Sequence, residues 1–76
     1  MKPVFLLSDP TCDICGKKMS AGESAYDAKT RRGPWANMDQ KCFDLYGLGR
    51  LGTGLGQRYT KQLEGPHAGR WMKVEG

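Results

Sequence analysis

Apolar residues in this chain fall in short bursts separated by glycine, proline and charge. The first burst, Val4 to Leu7, predicts a short strand over Lys2 to Leu7. Pro3 confines it to a sheet edge or a strand start, where a missing backbone donor does no harm. Asp9-Pro10-Thr11 reads as a turn, and Lys17 to Glu23 as loop, being polar, broken by Gly22 and without helical period. Ser24 to Lys29 and Pro34 to Met38 read as two strands joined by Thr30-Arg31-Arg32-Gly33, with Tyr26 and Trp35 as the inward aromatics of a hairpin. Asn37 as N-cap, followed three residues later by Gln40, opens a helix that carries Asp39, Cys42, Phe43, Leu45 and Tyr46 and that Gly47 closes. From Gly47 to Gly56 glycine recurs at every second or third position with Leu48, Leu51 and Leu55 between, which argues against regular structure. Gln57 to Glu64 predicts a short polar helix or strand, Gly65-Pro66 breaks the chain, and Arg70 to Val74 predicts a last short strand.

Elements this short leave little to bury. A chain of 76 residues sits at the lower edge of what one hydrophobic core stabilises, so a disulfide, a metal or a partner has to add cohesion. The three cysteines are an odd count, which argues against a disulfide framework. Val4 to Leu7 is too brief for a signal peptide or a membrane span, and the expectation is a reducing cytoplasm. In that setting cysteines at CxxC spacing are metal ligands or redox catalysts.

Cys12-Asp13-Ile14-Cys15-Gly16 has the form of a zinc knuckle, a tight turn that aims two thiolates inward while glycine relieves the backbone behind them. A thioredoxin-like dithiol would open a helix, and Gly16 to Gly22 offers no amphipathic helix. Cys42 supplies a third thiolate, and Asp39, three residues earlier on the predicted helix, reaches the same ion from the first turn. The fourth ligand has alternatives: Asp39, whose carboxylate is an accepted zinc donor; His67, the only histidine, in the flexible Gly65 to Gly69 loop; or water or a partner's group. Asp39 also has a purely structural reading, an acidic residue complementing the helix dipole. One structural zinc ion on Cys12, Cys15, Asp39 and Cys42 is the expectation.

A knuckle, a hairpin and a helix that supplies the second ligand pair resemble the treble-clef zinc fingers, through Cys12-Asp13-Ile14-Cys15 and Asp39-Gln40-Lys41-Cys42. Gly33 to Met38 and Leu51 to Tyr59 are also similar to short zinc-finger proteins of bacteriophage and bacterial genomes. Those usually carry a full second CxxC pair, so Asp39 is a departure in which one hard oxygen replaces a soft sulfur. The resemblance implies an α+β, zinc-stabilised, treble-clef-like fold in a single domain, in the cytoplasm of a bacterium or a phage-infected cell. The zinc core spans residues 8–47 and a glycine-rich basic extension spans 48–76.

Charge shapes the functional expectation. The formal net charge is +4. Zinc bound by three thiolates adds two positive charges and releases three protons, leaving about +3. That surplus favours nucleic acid or an acidic protein surface, and serves solubility equally. Gly47 to Gly52 satisfies GxGxxG literally, but a helix precedes it and more glycine follows, the wrong context for a dinucleotide site; no Gly-Lys-Ser/Thr makes a Walker loop. Arg50, Arg58, Tyr59 and Lys61 around these glycines, with Arg31 and Arg32 on the hairpin turn, form a candidate phosphate-contacting surface that Arg70, Trp71 and Lys73 extend. The alternative is a flexible loop whose leucines cover the helix while its charges are solvated. The expected role is a nucleic-acid-binding zinc finger, and the alternative is a phage-type module that binds a host protein on a zinc scaffold. With the cysteines committed to zinc and no nucleophile and base pair evident, no enzyme activity is expected.

Overall fold

The computed structural model describes residues 2–76 and shows an α+β domain. Its elements are β1 (Ser24–Lys29), β2 (Trp35–Met38), α1 (Gln40–Tyr46), β3 (Gly56–Lys61) and β4 (Trp71–Glu75). The strands form one antiparallel sheet in the order β2-β1-β3-β4. Among the described residues no helix is long and apolar enough to cross a membrane.

β1 lies between β2 and β3 and is buried on both faces, Tyr26 and Ala28 on one side and Ala25 on the other. Small residues suit it. Tyr26 stacks on Phe43 of α1, ring centroids 4.0 Å apart and nearly parallel, and its hydroxyl donates to Gln40 Oε1 at 2.6 Å. Ala25 faces Tyr59, and Ala28 faces Gly56. Gly56 has φ +148, and a Cβ there would collide with the Cβ of Ala28, so this crossing needs glycine on conformational and steric grounds alike.

The hairpin forms where expected, but only one of its two aromatics turns inward. Tyr26 is buried, whereas Trp35 is 47% exposed. The register explains this: Tyr26 pairs with Met38 and Trp35 with Lys29, so the two aromatics lie on opposite faces. Met38, fully buried, takes the inward place.

The helix cap also differs from expectation. Asn37 remains in β2, paired with Asp27, and Asp39 is the N-cap, its Oδ1 accepting from the Cys42 amide at 2.8 Å. Because the strand continues through Met38, Gln40 becomes the first helical residue rather than half of a capping box. Gly47 closes the helix, its amide donating to the Phe43 carbonyl.

The segment after the helix is irregular up to Gly56, and the two strands that follow take the positions expected for 57–64 and 70–74. The expected strand over 2–7 is reduced to a short pairing on the outer edge of β4. Phe5 bridges Met72, the Leu6 amide donates to the Trp71 carbonyl at 3.0 Å, and the Lys73 amide donates to the Val4 carbonyl at 2.8 Å. Asp9 Oδ1 accepts from Trp71 Nε1 at 2.8 Å, which locks the incoming chain to the last strand. Within the 17–23 loop, Met19 is fully buried, a core residue that periodicity did not reveal.

Candidate metal centre

Two tight structures meet beside the end of the hairpin. Residues 11–18 fold on themselves: Thr11 bridges Lys18, the Cys12 amide donates to the Lys17 carbonyl at 2.8 Å, and the Gly16 amide donates to the Cys12 carbonyl at 2.9 Å. Gly16 has φ +79, a left-handed conformation that brings the chain around behind Cys15. This knuckle is bolted to β2. The Asp13 amide donates to the Asn37 carbonyl at 2.7 Å, and the Asn37 amide donates to Asp13 Oδ2 at 2.8 Å. Two residues beyond Asn37 the chain reaches Asp39 and enters α1, so the same attachment sets the distance between knuckle and helix start.

The result is a cluster of Cys12, Cys15, Asp39 and Cys42 whose four ligand atoms all lie within 4.8 Å of one another. Two sulfurs at zinc distance on a tetrahedron stand about 3.8 Å apart, so a small contraction closes the set on one ion. The Cys15 thiol already donates to Asp39 Oδ2 at 3.4 Å. Cys12, Cys42 and Asp39 are buried, while Cys15 sits on the outside. The group can hold a single metal ion. Three thiolates and one carboxylate suit zinc, and four donors complete the tetrahedron of a structural site.

Asp39 has two roles divided between its oxygens, Oδ1 capping the helix and Oδ2 facing Cys15. The cap therefore orients the candidate ligand, as outer hydrogen bonds do at metal sites. Its carboxyl is held below the usual range, chiefly by the Cys42 amide, against a smaller opposing effect of burial. For Cys12, burial works against ionisation, but the backbone N–H groups of Cys15, Asp39 and Ile14 outweigh it and the thiol is lowered. Cys42 goes the other way, pushed up to about 12 by burial and then by its hydrogen bonding to Cys12, Asp39 and Cys15. Burial thus favours the thiol form of Cys42, and a bound cation would favour its thiolate.

His67, the alternative fourth ligand, lies outside the cluster and packs on Phe5, ring centroids 5.0 Å apart. Arg70 covers the Phe5 ring at 3.6 Å, and Trp71 is buried.

The six residues of the expected phosphate-contacting surface are dispersed. Tyr59 is 4% exposed and its hydroxyl is bonded to Gln57 Oε1, so the ring has no free face for a base. Arg58 is paired with Glu75 at 2.8 Å, and Lys61 with Asp9 at 3.7 Å. Arg58 shares the sheet face of Tyr26, whereas Lys61 is on the opposite face. Arg31 and Arg32 lie beyond the far end of β1 from Lys61, separated from it by more than the strand's own length of about 17 Å. Arg50 is exposed in the glycine-rich loop.

Ile14, Leu45 and Tyr46 were not singled out by their sequence context, yet they line a common groove with Arg31 and Arg32. The available signal was an apolar residue at a middle position of CxxC, where a knuckle turns its side chains outward. Comparison with protein-family models, curated proteins and solved structures finds no match to this chain.

Proposed function

We propose that this protein is a zinc-organised binding module of treble-clef type, in which the ion is structural and the partner is another protein. The observation that carries this reading is the convergence of Cys12, Cys15, Asp39 and Cys42 from two segments 24 residues apart in the chain. The order of knuckle, β1-β2 hairpin and α1 supports the treble-clef assignment. A four-donor set leaves no coordination position for a reacting water, which supports a scaffold rather than a catalyst. A phage-encoded module that engages a host protein is the concrete form of this role.

A protein partner is favoured over nucleic acid because the candidate phosphate contacts are scattered over both sheet faces, with Arg58 and Lys61 held in ion pairs. Nucleic-acid binding keeps one specific support, the net charge of +4. Its signature is affinity for an oligonucleotide that falls linearly with salt on logarithmic axes; a flat response removes it.

Metal analysis of the purified protein tests the scaffold. The expected result is one zinc per chain, and a cobalt-substituted spectrum with tetrahedral bands and thiolate charge transfer. Asp39→Cys should intensify the charge transfer and retain the ion, Asp39→Ala should weaken retention, and His67→Ala should leave it unchanged. Zinc loss confined to the His67 variant would reassign the fourth ligand. A metal-free protein that still melts cooperatively in strong chelator overturns the proposal.

A further inference from the structure

Beside the ligand cluster, the knuckle, the hairpin turn and the end of α1 enclose a groove with an apolar floor. Ile14, Leu45 and Tyr46 are 43%, 52% and 49% exposed, and they line it together with Thr30, Arg31 and Arg32. Single exposed apolar residues are ordinary; here three gather in one concave surface.

The walls are held in place by the fold itself. The Arg31 amide donates to the Tyr46 carbonyl at 2.9 Å, and Arg31 Nε donates to the Gly47 carbonyl at 3.0 Å. Thr30 Oγ1 donates to the Pro34 carbonyl at 2.7 Å, and the knuckle that carries Ile14 is fastened to β2 through Asp13 and Asn37. A preformed groove spends little ordering entropy on binding.

Its rim is cationic. Lys17, Arg58 and Lys61 are each paired with a carboxylate, whereas among the described residues neither Arg31 nor Arg32 has one. Arg31 commits Nε to a carbonyl and leaves its terminal nitrogens for a ligand, and both Arg31 and Arg32 are exposed. Planar guanidinium groups beside an apolar floor complement a segment that alternates carboxylates with apolar side chains.

The geometry points to this groove as the docking site for a short acidic segment of a partner protein, its apolar side chains on Ile14, Leu45 and Tyr46 and its carboxylates on Arg31 and Arg32. This assignment rests on the reading of a module whose partner is a protein. Ile14 and Leu45 are aliphatic and leave Tyr46 as the one ring in the groove on which a base could stack, and two arginines make a far weaker cationic field than nucleic-acid sites carry.

An NMR titration of the zinc-loaded full chain tests it with three probes: a short capped peptide alternating glutamate and leucine, the same peptide with serine for leucine, and an oligothymidylate. The alternating peptide should saturate and shift the amides of Ile14, Thr30, Leu45 and Tyr46, and the serine peptide should bind at least about tenfold more weakly. Leu45→Gln and Arg32→Glu, both at exposed positions, should each weaken the alternating peptide by about tenfold while zinc content and melting stay at parental values. Shifts centred outside the groove, or parental affinity in both variants, overturn the assignment. If the alternating peptide does not saturate and the oligothymidylate does, the protein-partner reading falls as well; if neither saturates, the groove assignment alone is overturned.

Discussion

The chain up to Gly47 and the chain after it contribute to one sheet by different means. The first part buries Cys12, Met19, Ala25, Tyr26, Ala28, Met38, Cys42 and Phe43, a set in which small and sulfur-bearing side chains outnumber the two aromatic rings. Its knuckle and its seven-residue helix are each too short to hold shape alone, and what joins them is a polar cluster of four ligand atoms. The second part adds Tyr59 and Trp71 to the buried hydrophobic set, yet forms two strands. There the backbone ladder is the main agent: β3 is bonded on both sides, and β4 is bonded to β3 and to residues 4–6. Both regions use main-chain pairing, and the first adds to it a cluster of side-chain ligands that the second lacks.

Metal removal is the strongest way to break that contrast. Structural zinc contributes on the order of 10 kcal/mol in zinc-finger peptides, comparable to the whole stability of a small domain. Chelation should therefore strip hydrogen-exchange protection from residues 12–19 and 40–47 first. Equal protection in those segments before and after chelation would remove the distinction between the regions.

Trp71→Ala comes next, with an expected loss of about 3–5 kcal/mol, because it empties a buried site and removes the indole N–H that donates to Asp9. Chemical denaturation of the zinc-loaded protein measures the loss. The cobalt spectrum of the variant should match the parent's, since Trp71 lies outside the ligand set.

A smaller effect, about 1–3 kcal/mol, is expected for Gly56→Ala, where φ +148 and the facing Ala28 leave no room for a methyl group. It should lower the denaturation midpoint without altering zinc stoichiometry, which would show that the β1-β3 pairing and the candidate metal centre are separable.

The smallest effect is electrostatic. Lys17 bonds to Glu23, and this contact, reinforced by the Ser20 amide and hydroxyl, holds the Glu23 carboxyl at about 2. A carboxyl whose folded value is depressed stabilises the fold fully above its ordinary range and loses that contribution as pH falls through the folded value. The melting temperature of Glu23→Gln should thus lie slightly below the parent's at neutral pH and converge with it as pH approaches about 2. A constant offset down to the lowest pH would assign the difference to packing.

Local signals read well where the chemistry is local. Cys12-x-x-Cys15-Gly16 announced the knuckle, and its glycine does adopt the left-handed turn. Asp39 and Cys42, three apart, did converge on one point with the knuckle. The cap was misplaced by two residues because Asn37 and Asp39 are both good caps by type, and the choice between them depends on where β2 stops pairing with β1. Trp35 was expected inward for a similar reason: both faces of a short hairpin look plausible until the register with Tyr26 is known. Met19 gave no warning, since it sits in a loop without period and is buried by the knuckle's fold.

From the amino-acid order alone came the residues able to bind a metal, the elements between them and the need for a cross-link, because ligand type, turn glycines and chain length act over a few neighbours. Only the tertiary structure decided that Asp39 rather than His67 joins the cysteines, that Arg58 and Lys61 occupy opposite faces, and that Ile14, Leu45 and Tyr46 share a groove with Arg31 and Arg32. Those are relations between segments far apart in the chain, set by strand register and by the knuckle's attachment to β2, and no local pattern encodes them.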